Sequence, residues 1–299
     1  MINYKIPDMK LAVMFLLAGF ALKVTAQDKP AYAIFKSEGK EASYKEMIKV
    51  AQKADIVFFG ELHDDPIAHW LELEVTKSLF SERGNSLMLG AEMFESDNQL
   101  LLDEYLAGKY DGPKFEAEAK LWKNYKTDYK PLVEFARKNK LPFIATNVPR
   151  RYASIVSKGG FASLDSLSPE AKKLIAPLPI IYDPEVKCYK DMLSMGGMGP
   201  GAPSHGGENL PKAQAVKDAT MAYFILSSWS KGKEFIHYNG SYHSRNFEGI
   251  IWYLLKANPD LKIVTIEAVQ QDQTDSLDKE NKNVASYIIA IPSSMTRTY

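Results

Sequence analysis

The sequence predicts an α/β fold, with a mostly parallel central sheet, helices on both of its faces and helical insertions. Short apolar runs recur along the chain, and each stops abruptly at a glycine or a polar residue. Helical segments separate these runs, as in βαβ units whose strands are covered on both faces. Two runs, residues 55–60 and 234–240, end in the same Gly-x-x-His pattern. Both histidines are therefore expected at one edge of the sheet, beyond the carboxyl ends of its strands.

Turn and cap residues predict the order of the other elements. Asp65 followed by Pro66 is typical of a helix start, and Gly84 marks the end of that helix. Ser96 caps a second helix, and residues 109–130, rich in Lys, Tyr and Trp, are expected to form a helical insertion over the sheet. Further strands are expected at 86–91, 143–146, 261–268 and 284–291, and further helices at 97–107, 131–140, 151–158, 169–176, 213–231 and 246–257.

The first 26 residues have the pattern of a secretory signal peptide. Lysines precede the apolar run 11–22, and small residues lead to Ala26. A retained N-terminal anchor is the alternative, although the run is short for a membrane span. Residues 27–299 are expected to form a single α/β domain in the periplasm or at a membrane. The only cysteine, Cys188, excludes an internal disulfide and is not placed for lipid attachment.

Charge composition excludes one class of partner. Lysine and arginine together number 37, as do aspartate and glutamate, so the formal net charge is zero. Nucleic-acid-binding domains carry a basic patch or a strongly basic balance. No nucleic acid is therefore expected as a partner.

Polar clusters follow four of the predicted strands, which indicates a shared site at the carboxyl edge. The candidate residues are Glu61, His63, Glu92, Asn147, Arg150 and His243. Imidazole and carboxylate could hold a divalent metal, with His63, Glu92 and His243 as ligands. Without a metal, one histidine could act as a general base while Arg150 stabilises an oxyanion. His69, one turn into the first helix, is interpreted as a helix-surface or core residue.

Residues 185–212 are expected to form a flexible loop rich in glycine and methionine, because this composition cannot bury a core of its own. Nearby lie the phenols of Tyr182 and Tyr189 and the imidazole of His205. Phenol, thioether and imidazole groups all bind haem iron, and thioethers also bind Cu(I). A surface loop with methionine as apolar filler is an equal alternative.

Four ordered motifs carry a resemblance to a known family. They are Phe-Phe-Gly-Glu-Leu-His at 58–63, Gly-Ala-Glu-Met-Phe at 90–94, Asn-Val-Pro-Arg-Arg-Tyr at 147–152 and Gly-Ser-Tyr-His at 240–243. The series resembles the ChaN-like haem-binding family, which is grouped with erythromycin esterases and TIKI/TraB proteins. In that superfamily the two Gly-x-x-His motifs, a glutamate and an Arg or Asn form the site. These positions match His63, His243, Glu92 and Asn147 with Arg150.

The resemblance implies an iron-regulated protein that binds haem, in which two haems stack face to face in a homodimer and a tyrosine binds each iron. Tyr189 is the favoured ligand, followed by Tyr182 and Tyr152, with Lys190 placed to meet a propionate. His205 belongs to the same predicted binding region. Partners in haem uptake at the outer membrane or in the periplasm are also implied. The alternative is a metal-assisted hydrolase of an ester, lactone or peptide, as in the TIKI and esterase branches.

We expect the exported protein to begin at Gln27, because the small residues before it follow a short apolar run. The intact mass of the protein recovered from the exported fraction gives its first residue. A mass that includes Met1 would show that the segment is retained.

Overall fold

The computed structural model describes residues 29–195 and 207–298. The chain divides into two units, of which the second, Ala31–Tyr299, contains the elements that follow. The predicted signal peptide lies outside the described residues, as does His205. Among the described residues, no helix combines the length and the apolar character that crossing a bilayer requires.

Within the described residues, seven strands form one sheet in the order β1-β7-β6-β2-β5-β3-β4. β1 pairs antiparallel with β7, whereas the other neighbouring strands pair in parallel. The strands are β1 Ala33–Lys36, β2 Ile56–Glu61, β3 Leu87–Glu95, β4 Phe143–Asn147, β5 Glu234–Gly240, β6 Ile263–Gln271 and β7 Tyr287–Pro292. The sheet confirms the predicted α/β class. Strand β1 was not predicted from the sequence.

Helices cover both faces of the sheet. The helices are α1 Tyr44–Ala51, α2 Pro66–Arg83, α3 Gln99–Leu106, α4 Gly112–Glu118, α5 Lys130–Asn139, α6 Arg150–Gly159, α7 Pro169–Lys172, α8 Lys187–Met195, α9 Leu210–Ser228 and α10 Ile250–Ala257. A π-helical turn, Tyr125–Tyr129, precedes α5. The insertion expected at 109–130 contains α4 and this turn.

Strand β2 contributes side chains to apolar cores on both faces of the sheet. Val57 and Phe59 belong to one core with α2 and α5, and Ile56 and Phe58 belong to a second core with α9 and α10. Alternate side chains of a strand point to opposite faces, so a strand covered twice reads as a continuous apolar run. The run predicted at residues 55–60 has this property, and all of β2 is buried.

The expected loop at 185–212 is corrected by the structure. Lys187–Met195 form helix α8, and α9 already begins at Leu210. The helix is amphipathic: Cys188 and Tyr189 enter the second core, whereas Lys187 and Lys190 remain in solvent. Residues 196–206 lie outside the described residues.

The centre of the sheet brings distant parts of the chain together. β2 and β3 are both hydrogen-bonded to β5, with Glu61 opposite Gly240 and Ala91 opposite Tyr238. The pairing of β3 with β4 shifts register between Ala91 and Glu95, and such bulges redirect side chains near functional sites. Glu92 follows directly on this shift.

Candidate functional site

Glu61 and His63 form a pair at the carboxyl end of β2. His63 Nδ1 donates to Glu61 Oε1 over 2.7 Å, and the buried phenol of Tyr129 donates to the same oxygen. The His63 side chain is 40% exposed and meets Trp122 edge to face at 4.8 Å between ring centroids. The pair therefore presents an oriented imidazole to solvent from a buried carboxylate.

Gly240, at the end of β5, allows both Glu92 and His63 to lie close to the backbone of this strand. Its backbone N–H donates to Glu92 Oε2 over 2.8 Å. A Cβ atom at this position would lie 2.6 Å from His63 Nε2, so any side chain would displace the imidazole. His63 and Glu92 therefore lie against the same residue of the central strand.

His243 links Glu92 to helix α9. Its Nε2 lies 3.2 Å from Glu92 Oε1, and its Nδ1 donates to Asp218 Oδ1 over 2.5 Å. The phenol of Tyr189 donates to the other oxygen of Asp218 over 2.8 Å. All of these groups are buried. The imidazole of His243 therefore lies between the carboxylates of Glu92 and Asp218, and the phenol of Tyr189 donates to Asp218.

The ionisation of this cluster follows from those contacts. Burial alone would lower the pKa of His243, but Glu92 and Asp218 raise it to about 10. Burial would likewise raise the pKa of Glu92, yet His243 holds it well below the usual range. For His63, burial is outweighed by the hydrogen bond to Glu61, which raises its pKa. The buried charges are thus paired, as buried ions must be.

Asn147 and Arg150 take different positions. The Asn147 side chain is buried and donates to the backbone carbonyl of Glu92 over 3.0 Å. Arg150 opens α6 and is exposed, so it does not reach the buried cluster. It lines a surface cavity of about 530 Å³ together with Trp122, the residue that contacts His63.

A second buried cluster adjoins Glu61 on the side of α2. His69 Nδ1 lies 3.0 Å from Glu72 Oε2 and 3.5 Å from Glu61 Oε2. Burial would lower the pKa of His69, but Glu72 and Glu61 raise it to about 10. Burial and the charge of Glu61 raise the pKa of Glu72 well above its usual value.

The donor atoms that could share a metal differ from the predicted set. Glu61, His69 and Glu72 each offer one donor, and these atoms lie within 4.8 Å of one another. Within the described residues, His63, Glu92 and His243 do not form such a group. Nδ1 of each of these two histidines donates instead to a carboxylate, Glu61 for His63 and Asp218 for His243.

Tyr189, the favoured iron ligand, lies in the second core. Tyr189 is fully buried, and its hydroxyl is engaged by Asp218. Burial and the charge of Asp218 raise the pKa of Tyr189 far above its usual value, which opposes phenolate formation. Tyr152 is buried at 8% exposure, and Tyr182 is partly buried against Phe161. Lys190 is exposed and paired with Glu185.

An apolar groove lies on the outer face of α9 and α10. Its volume is about 290 Å³, and its walls include Ile181, Tyr223, Leu226, Tyr253 and Lys256. Ile181 and Tyr223 are 55% and 38% exposed, so both side chains are accessible from solvent. The groove therefore offers a flat apolar surface with one accessible phenol and one lysine at its rim.

Sequence reasoning missed Asp218 and Glu72 and interpreted His69 as a helix-surface or core residue. Asp218 stands within a run of buried Ala and Val residues in α9, and a lone carboxylate on such a helix signals a buried partner. His69 and Glu72 are three residues apart on α2, so both side chains project from one face. What the sequence could not show is that this face meets Glu61.

The fold and the site define an α/β protein with a buried centre of histidines and carboxylates at the carboxyl edge of a parallel sheet. Such a centre holds an imidazolium between anions and presents a second, solvent-accessible imidazole. The chain belongs to the family described as haem-binding uptake, Tiki superfamily, ChaN, because the family's profile matches residues 47–254.

Relatives of known structure share this architecture. The structure of ChaN of Campylobacter jejuni with cofacial haem binding superposes with a TM-score of 0.63 at 19% identity, covering 88% of this chain and 97% of that one. A mutant of the erythromycin esterase EreC in its open conformation gives 0.50 at 10% identity, covering 88% and 98%. In sequence, the chloroplastic protein RETICULATA-RELATED 5 of Arabidopsis thaliana is 29% identical over 130 residues, 42% of this chain and 17% of that protein. These likenesses show the fold.

We expect Asp218→Asn to lower the pKa of His243 by one unit or more, equivalent to about 1.4 kcal/mol. Asparagine keeps an oxygen that accepts from Nδ1, but it removes one of the two charges that raise this pKa to about 10. NMR titration of the imidazole nitrogens measures the change.

The same substitution should alter the pH dependence of stability. Because the folded pKa of about 10 exceeds the ordinary 6.5, the contribution of His243 is fully present below pH 6.5 and is lost as pH rises towards 10. Asp218→Asn should reduce this loss, whereas Glu74→Gln, at an exposed carboxylate paired with Lys77, should not. An unchanged pKa of His243 in Asp218→Asn would contradict the conclusion that the Asp218 carboxylate raises it.

Proposed function

We propose that this chain binds haem, and that the apolar groove on α9 and α10 is the binding surface. The observation that carries the proposal is membership of the haem-binding uptake family, whose profile covers most of the chain. A haem needs a flat apolar surface for its ring, a ligand for its iron and cations for its propionates. The groove fits all three requirements.

Tyr223 is the iron ligand in this proposal. Its side chain projects from α9 into the groove and is 38% exposed, so its hydroxyl can meet an incoming iron. A tyrosine phenolate is an established axial ligand of haem iron. Tyr189, by contrast, would have to leave the core and break its hydrogen bond to Asp218, which leaves a buried carboxylate oxygen without its donor.

Lys256 at the groove rim supplies the cation. Its ammonium lies 4.9 Å from the centroid of the Trp252 ring, a contact that holds the charge at the surface. A propionate placed over this rim would gain a partner without entering the core. The remaining walls, such as Ile181 and Leu226, are apolar and suit the ring.

A homodimer completes the proposed site. The groove is open, so a bound haem would leave one face uncovered, and a second copy of the chain can cover that face with its own haem. The Campylobacter jejuni relative is described as binding haem cofacially, which supports this arrangement. The exposed Ile181 would lie within the covered surface.

Export and a role in haem or iron uptake complete the proposal. The support is the signal-like pattern of residues 1–26 and the membership of the chain in a haem-binding uptake family. In this role the protein would receive haem from, or pass it to, uptake components of the periplasm or outer membrane. The mature mass described above tests the export step.

Haem titration tests the binding site. We expect the purified protein to give a Soret band with haemin, and Tyr223→Phe to weaken ferric haem affinity at least tenfold because it loses the iron ligand. Tyr189→Phe serves as the matched control and should retain affinity. Sedimentation before and after haemin addition should show dimer formation only with haem.

Other outcomes would relocate or overturn the site. Loss of affinity in Tyr182→Phe or Tyr152→Phe, with Tyr223→Phe unaffected, would move the haem away from the groove. Loss in Tyr189→Phe alone would mean that helix α8 opens on binding. The absence of a Soret band in the unmodified protein would defeat haem binding itself.

A second candidate function is hydrolysis of an ester, lactone or peptide. The observation that favours it is the oriented His63, whose Nδ1–H is held by Glu61 and whose side chain is reachable from solvent. Its Nε2 would take a proton from water as the water oxygen bonds to the carbonyl carbon, and would return the proton to the leaving group. Arg150, in the neighbouring cavity, would stabilise the oxyanion.

The hydrolase candidate predicts a pH profile. Because the bond to Glu61 raises the pKa of His63, the free base forms only above the ordinary 6.5, so kcat/KM should rise with pH through a value above that. His63→Gln should reduce turnover of p-nitrophenyl butyrate by about 100-fold or more. Lys77→Gln, on the exposed side of α2, should have no effect. Equal rates for the unmodified protein and His63→Gln would exclude this function.

A further inference from the structure

We infer that Glu61, His69 and Glu72 form a buried binding site for one divalent transition-metal ion. The site lies beneath the solvent-accessible His63, between the end of β2 and the first turns of α2. It is separate from the haem groove, so this inference goes beyond the proposed function and does not depend on it.

His69 is oriented as a metal ligand. Its Nε2–H donates to the backbone carbonyl of His63 over 3.1 Å, and Asn124 Nδ2 donates to the same carbonyl over 2.8 Å. Histidines that bind metals usually donate their second ring N–H to such an acceptor, which fixes the tautomer. Nδ1 faces Glu72 and Glu61, and it would give up its proton when an ion binds between them.

Glu61 has one oxygen free for the ion. His63 and Tyr129 both donate to Oε1, whereas Oε2 is buried and has no hydrogen-bond donor among the described residues. This second oxygen lies 3.5 Å from His69 Nδ1. A buried carboxylate oxygen without a partner is costly, and a cation in front of it removes that cost.

Glu72 supplies a second unpartnered oxygen. The residue is fully buried, Oε2 faces His69, and Oε1 has no hydrogen-bond donor within the described part of the chain. Asp128 Oδ2 lies 3.6 Å from His69 Nε2 and is held by Asn124. Carboxylates thus crowd the imidazole on both sides, and a bound ion would balance more of their charge than the imidazolium alone.

The donor set selects the class of ion. One imidazole nitrogen and two carboxylate oxygens suit Zn²⁺ or Mn²⁺, while hard ions such as Mg²⁺ and Ca²⁺ favour oxygen ligands alone. No thiol or thioether belongs to the group, which disfavours Cu(I). Burial of all three ligands indicates a structural ion that joins α2 to the sheet rather than one that meets substrate.

Metal content of haem-free protein tests the inference. After treatment with a chelator, the full chain is dialysed against Zn²⁺ or Mn²⁺ and bound metal is measured by mass spectrometry, alongside the melting temperature. We expect about one equivalent of at least one of the two ions, with a rise in melting temperature because the ion binds the folded state. Glu72→Gln keeps the size of the side chain and should lose both effects, while Glu74→Gln, on the outer side of the same helix, should keep them.

X-ray absorption of the zinc-loaded unmodified protein provides a measurement that does not depend on variant folding. One imidazole and otherwise oxygen ligands are expected. Two imidazoles, or metal loss in Glu92→Gln but not in Glu72→Gln, would place the ion with His63 and His243 and overturn the assignment. The absence of bound Zn²⁺ and Mn²⁺ in the unmodified protein would also overturn it and leave a shared proton as the balancing charge.

Discussion

The carboxylate of Glu92 can remain ionised in the centre of this protein only because positive charge and an N–H donor reach it. Its side chain is buried, and burial of an unpaired ion would cost several kcal/mol. Gly240 provides the N–H from β5, and His243 provides the imidazolium from the turn that follows. Both contacts require β5 to lie beside β3, so the strand order and the site stabilise each other.

The other buried charges of the site are also paired with groups of opposite charge or with hydrogen-bond donors. His243 carries its charge between two carboxylates, and Asp218 in turn receives the phenol of Tyr189. On the other side, Glu61 balances His63 and faces His69. Each ion is therefore stabilised by a neighbour from a different element, which fixes the relative positions of the sheet, α2, α8 and α9 more tightly than apolar packing alone would.

Much of this arrangement could be predicted from sequence, because its signals are local. Apolar runs ending in glycine located the buried strands, and parallel pairing implied that Glu61, Glu92 and His243 would share an edge. The partners from helices were not predictable in the same way. Nothing near Asp218 in sequence identifies His243, 25 residues away, as its partner, and the same holds for His69 and Glu61 across the strand-to-helix turn. Tyr189 was misplaced for a related reason. Its place beside the Gly/Met-rich segment suggested an open loop, but residues 187–195 form a helix that buries Tyr189 in the second core.

Strand order has a consequence for the making of the protein. In the sheet, β2 lies between β5 and β6, so both of its hydrogen-bonding neighbours come from beyond residue 233. During synthesis the part of the chain that precedes β5 can form helices and pair β3 with β4, yet β2 has neither of the strands that it pairs with in the sheet. Glu61 and Glu92 likewise depend on later residues, because Glu61 pairs with Gly240 in the sheet and Glu92 contacts Gly240 and His243. The native contacts of the centre therefore cannot form before β5 and the turn after it have been made, so Glu61 and Glu92 lack these partners in an incomplete chain.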